Sequence, residues 1–144
     1  MSNGYSARNA VEREKLERLV ARLTDEQMGR PAGGPGWTVG ALLGHLTFWD
    51  QRALELLKKW QSQGIGPSGV DIDVVNDAMR PLLAAVPPRK AAELAVAAAR
   101  AIDEAIDSLD AVTLERVESE GKPVRLDRAA HRVHHREQIE KAIS

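Results

Sequence analysis

Apolar residues in this chain return every three or four positions, and no strand-like alternation of apolar and polar residues persists anywhere. The period predicts a first helix over about Ser6 to Leu23, whose later half carries Leu16, Leu19, Val20 and Leu23 on one face. Thr24 suits the N-cap of a short turn, with Asp25 and Glu26 near its positive end. Two prolines and three glycines make Arg30 to Gly36 a loop. Thr38 then caps a second helix, Val39 to about Gln61, with the stripe Leu42, His45, Leu46, Trp49, Ala53, Leu56 or Leu57, and Trp60.

A further Gly- and Pro-containing link, Gln63 to Gly69, leads to a shorter helix ending near Val86. Asp71 or Asp73 caps it, and Val75, Ala78, Met79, Leu82 and Leu83 are expected to face inward. Pro87 and Pro88 interrupt the pattern, and Pro88 fits the first turn of the next helix, where no intrahelical donor is needed. That helix runs from about Arg89 to Leu109, with Ala91, Leu94, Ala98, Ile102, Ala105 and Leu109 repeating along it. Asp110 to Gly121 reads as either a frayed turn or a loop. Pro123 precedes a last helix that reaches about Ile143. Four long helices and one short helix in a crossover predict an all-α chain, a four-helix bundle forming one domain over residues 1–144.

Composition narrows the chemistry. The net charge is −1 with dispersed lysines and arginines, so no basic field points to nucleic acid or anionic lipid. No apolar run is long enough to cross a bilayer, and Met1 to Ala10 lacks the apolar core of a signal peptide, so a cytoplasmic location is expected. Cysteine is absent, which excludes thiolate ligands and a protein-borne thiol nucleophile. A metal would have to use imidazole, carboxylate or water, and any thiol would have to arrive from outside.

Three of the four histidines, His131, His134 and His135, lie within five residues of the last helix. Residues four apart sit one turn above each other, so His131 and His135 can address one ion. His131 and His134 form a competing pair. With His131 at zero, Val124, His135, Ile139 and Ala142 fall within about 80° on one side, and His134 about 60° away on the other. The inward pair is therefore His131 and His135, with His134 near the rim. His45 is on the buried stripe of the second helix, where an imidazole needs a partner. If the fold joins it to the C-terminal pair, three nitrogen ligands suit zinc, nickel or iron and leave positions for water or substrate. Asp50 and Glu137 read as solvated residues that can also orient ligands, and Trp37, Trp49 and Trp60 as packing anchors. Arg128, Arg132 and Arg136 can hold an anionic substrate, although helical arginines are mostly solvated.

Gly36-Trp37-Thr38-Val39, followed by Leu43-Gly44-His45-Leu46 and Trp49-Asp50, resembles the second helix of DinB-like (YfiT-like) proteins. The ending His131-x3-His135-Arg136-x-Gln138-Ile139 resembles the last helix of that family, and Glu137 stands where glycine is frequent. The superfamily includes mycothiol-dependent maleylpyruvate isomerase and bacillithiol S-transferases. The resemblance implies an up-down-down-up bundle, a divalent metal on His45, His131 and His135, and often a homodimer. It also implies a metal-dependent transferase that activates an external low-molecular-weight thiol towards a small-molecule electrophile. The competing expectations are a metal-dependent hydrolase and a non-catalytic bundle that binds a small ligand or serves in stress. No general base is identifiable, and neither nucleic acid nor membrane is an expected partner.

Overall fold

In a computed structural model, residues 4–121 and 124–144 are described, and they form seven helices with no strand among them. These are α1 (Gly4–Arg22), α2 (Asp25–Met28), α3 (Val39–Gln63), α4 (Ile72–Ala85), α5 (Pro88–Asp107), α6 (Ala111–Glu120) and α7 (Ala129–Ile143). Pro123, expected just ahead of the last helix, lies outside the described residues, as do Met1, Ser2 and Asn3 of the amino-terminal segment. None of the described helices is long and apolar enough to cross a membrane.

The helix starts follow from local chemistry. Thr24 accepts from the backbone of Gln27 while the Gln27 side chain accepts from the Thr24 backbone, a reciprocal cap on α2. The Thr38 hydroxyl accepts from the Ala41 N–H and opens α3. Asp71 accepts from Val74 at the start of α4, and Pro88 begins α5. The stretch left open as turn or loop is a helix: Asp110 accepts from the Thr113 N–H at 2.7 Å and starts α6, which buries Val117. The connections between the long helices therefore carry three further helices, α2, α4 and α6, not one.

The helices α1, α3, α5 and α7 form the bundle: α3 packs on α5 and α7, and α1 packs on the same two. Buried alanines at 91, 92, 95 and 99 leave no bulk between α5 and its neighbours, and α3–α5 is the most extensive pair. Leu94, Ala105 and Leu109, expected inward on α5, are only half-buried. On α4 the expected inward face is narrower still. Met79 is buried, Val75 and Leu83 are half-buried, but Ala78 is exposed and Leu82 is 72% exposed. The reason is that α4 rests chiefly on α3, so one flank suffices. Gly44 admits that contact, since a Cβ there would lie 2.8 Å from Leu83.

The core has two apolar halves. One joins Leu16, Leu19, Leu43, Leu46, Ala95 and Ile139; the other joins Leu57, Trp60, Ile102, Ile106, Val117 and Leu126. Between them lies a layer of buried polar residues: Asn9 on α1, Asp50 on α3, Asp103 on α5, and Arg128 and Arg132 at and in the start of α7. The histidines adjoin this layer.

Candidate metal centre

His45 sits on α3 between Leu42 and Leu46 and is 6% exposed. Trp37 and Trp49 meet its ring edge-on, with centroids at 5.6 and 6.5 Å. From α7, His131 and His135 approach the same point, one turn apart on its inner face. The Nε2 atom of His131 is 3.0 Å from that of His45 and 3.1 Å from that of His135. The sequence-predicted trio is thus brought together, with ligand atoms all within 4.8 Å of one another. His134 is exposed at the rim, as its helical angle implies.

Three imidazole nitrogens at such distances make an unusual arrangement without a cation. A neutral imidazole carries one N–H, so the shared His131 nitrogen cannot satisfy both neighbours with well-aligned hydrogen bonds. The tautomers favour inward lone pairs. The Gln138 amide oxygen accepts from His135 Nδ1 at 2.7 Å, leaving Nε2 free to ligate. His45 Nδ1 is buried with no hydrogen-bond partner among the described residues, although Asn76 stands near enough to oppose part of its pKa shift. Burial, and after it the positive charge that His135 would carry, push His45 down from 6.5 to about 4. The same causes, with His45 added, push His131 to about 2, and burial lowers His135 against the pull of Gln138. At neutral pH the three rings are therefore uncharged donors. Their number, convergence and protonation state fit a divalent ion.

A cavity of about 750 Å³ opens beside the histidines, ample for a small molecule. Trp37 and Trp49 line it, and Trp37 also packs against the first apolar half. Trp49 also donates its indole N–H to Asn76 Oδ1 at 2.9 Å, tying α3 to α4 across the wall. Only Trp60 is purely an anchor, inside the second apolar half.

The acidic and basic residues distribute differently from the sequence expectation. Asp50 is not solvated: it is 3% exposed and accepts from Arg128 at 2.9 Å and from Arg132 at 3.5 Å. Arg132 is 1% exposed and also donates to both Asp103 oxygens, at 2.8 and 2.9 Å. Charges taken out of water need such pairing, and two buried arginines here meet two buried aspartates. Arg136 is held by Glu12 and Glu140. None of Arg128, Arg132 and Arg136 has its charge free for an anionic substrate. Glu137 is exposed, as expected of a solvated residue. Sequence reasoning missed Asp103, although Ala99, Ile102, Asp103 and Ile106 fall on one buried helical face.

Asn9 was missed as well. Its Oδ1 accepts from the backbone N–H groups of Arg128 and Ala129, at 2.9 and 3.0 Å, and its amide donates to the Leu126 carbonyl. Arg128 provides no side-chain cap for α7, so α1 supplies one. Cap and ion layer together set where α7 begins and how it is rotated.

Fold and site define an all-helical bundle with a buried cluster of three imidazoles that could hold a metal ion. The family model described as mycothiol maleylpyruvate isomerase N-terminal domain matches residues 10–140, and the chain belongs to that family, a DinB-like superfamily domain. Comparison with curated proteins gave no match. Comparison with solved structures gave none either.

Proposed function

We propose that the chain binds a divalent metal through His45, His131 and His135 and acts as a thiol-dependent transferase on a small electrophile. The observation that carries this reading is the meeting of three uncharged Nε2 atoms at 3.0 and 3.1 Å on the wall of a cavity. The family's description, with its mycothiol isomerase, supports the thiol. So does a chain without cysteine, which must obtain any thiol from outside. The up-down-down-up arrangement fits the pairing of α1 and α3 with both α5 and α7.

A bound divalent ion lowers the pKa of a thiol or water beside it and so supplies a nucleophile near neutral pH. The protein's own residues do the rest. His45, His131 and His135 hold three positions and leave room for a further ligand. Gln138 keeps His135 in the tautomer that presents Nε2. Trp37 and Trp49 shield His45 from water and form apolar wall against which an electrophile packs. Zinc, nickel and iron all suit the nitrogen donors.

Elemental analysis of untagged protein tests the site. Near-stoichiometric metal is expected in the native chain and in His134→Ala, and its loss in His45→Ala and His131→Ala. Native protein that neither carries metal nor takes up zinc or nickel would sink the reading. Conjugation of mycothiol and other bacterial thiols to model electrophiles then tests the transferase, and absence of turnover with every thiol would leave a binding protein.

A further inference from the structure

His45, Trp49 and Arg52 follow one another at spacings of four and three, so α3 presents them on one face of the cavity. One indole separates the imidazole from the guanidinium: Trp49 lies edge-on to His45, and the Arg52 guanidinium carbon is 5.7 Å from the Trp49 ring centroid. Arg52 is half-buried, and its Nη2 donates at 2.6 Å to the Ser68 carbonyl in the link before α4. Indole and carbonyl hold the side chain in place. Neither neutralises it.

The other charged residues of the cavity wall decide what Arg52 faces. Arg128 is matched by Asp50, Asp77 by Arg80, and Asp127 by Arg8. Among the described residues, Arg52, Arg125 and Asp73 have no ion-pair partner, which leaves one net positive charge. Burial and the nearby Arg128 both disfavour the charged form of Arg52, so an anion arriving there relieves both. At this end of the cavity, away from the ion that the histidines would hold, one planar fork matches the two oxygens of a carboxylate.

We propose that Arg52 is the specificity-determining residue of the cavity, selecting thiol or electrophile substrates that carry a carboxylate at the end remote from the histidines. The assignment rests on the metal-site reading above, and moves anion recognition from Arg128, Arg132 and Arg136, whose charges are consumed, to α3.

Zinc-loaded protein is titrated calorimetrically with a matched pair, 6-mercaptohexanoate and its neutral amide, 6-mercaptohexanamide. The native protein is expected to bind the acid roughly ten- to a hundredfold more tightly than the amide, as a charge-assisted fork allows. Arg52→Gln abolishes the preference while keeping amide affinity, which also shows that it is folded; Arg52→Lys retains part of it. Because a carboxylate can itself reach the ion, the change in preference between native and Arg52→Gln is the deciding quantity. Equal binding of acid and amide by the native protein, or an undiminished preference in Arg52→Gln, overturns the role of Arg52 and leaves the metal site standing. Zinc-loaded protein that binds neither thiol in any form overturns the thiol-dependent reading and this assignment together, whereas protein that cannot be loaded with zinc at all overturns the metal site beneath them.

Discussion

Arg132 and His131 are neighbours in sequence and face different worlds. Successive helical residues differ by about 100°, so His131 lines the cavity while Arg132 enters the core. There Arg132 donates to Asp103, to Asp50 and to the Asn9 and Ala99 carbonyls. Removing one partner strands a charge away from water. Asp103→Ala is expected to cost about 3–5 kcal/mol, measured by urea unfolding of metal-free protein. Asp103→Asn, which keeps an acceptor, should cost less. A loss under about 1 kcal/mol for the alanine variant would mean that the pair does not hold α7. His45 was legible as buried because Leu42 and Leu46 bracket it. Asp50 lies on a buried line with Leu46, Ala53 and Leu57, yet its charge argued for solvent until its partners came into view.

At the scale of elements, most helix starts marked by their own residues were readable, although Asp110, which caps α6 on the Thr113 N–H, reads as part of a turn or loop. Thr24, Thr38, Asp71 and Pro88 each act on a donor or a turn within a few positions. The start of α7 was not. Asp127 helps locally, accepting from the Ala129 N–H at 3.2 Å, but the acceptor shared by the Arg128 and Ala129 N–H groups comes from Asn9, more than a hundred residues earlier, where no local rule points. Asn9→Ala removes one acceptor shared by two backbone donors and is expected to cost roughly 1–3 kcal/mol. Zinc affinity should fall with it, since His131 is in the first turn of α7. Unchanged unfolding and zinc titration curves would show that α7 keeps its start unaided. On α4, a strong apolar pattern overstated burial because the pattern reports how a helix could pack, while the number of neighbours decides how much is covered.

For the whole molecule, the cluster couples stability to pH. His45 titrates at about 4 in the fold against 6.5 for an ordinary histidine. Between those values the unfolded chain takes up the proton and the folded chain does not. Stability is therefore complete above about 6.5 and lost as pH falls towards 4. His131 and His135 act in the same direction. Metal-free protein should melt at a clearly lower temperature at about pH 5 than at about pH 7.5, above the range where most carboxylates titrate. Zinc at a thousandfold over its dissociation constant should add about 4 kcal/mol at neutral pH. Equal melting temperatures of the metal-free protein at the two pH values would contradict neutral, buried imidazoles.

Helical period, caps and breakers act over a few residues, so the chain by itself determined an all-helical bundle and most of its boundaries. The spacing of His131 and His135, and the apolar neighbours of His45, determined which histidines face inward. Tertiary structure decided the rest. Only packing of α3 against α7 brings the two ends of the site within hydrogen-bonding distance. Only the pairing of charges from α3, α5 and α7 shows that Asp50, Asp103 and Arg132 belong to the core, leaving Arg52 with its charge facing the cavity. The physical reason is range: backbone geometry repeats locally, whereas the neutralisation of a buried charge depends on partners that the fold alone brings together.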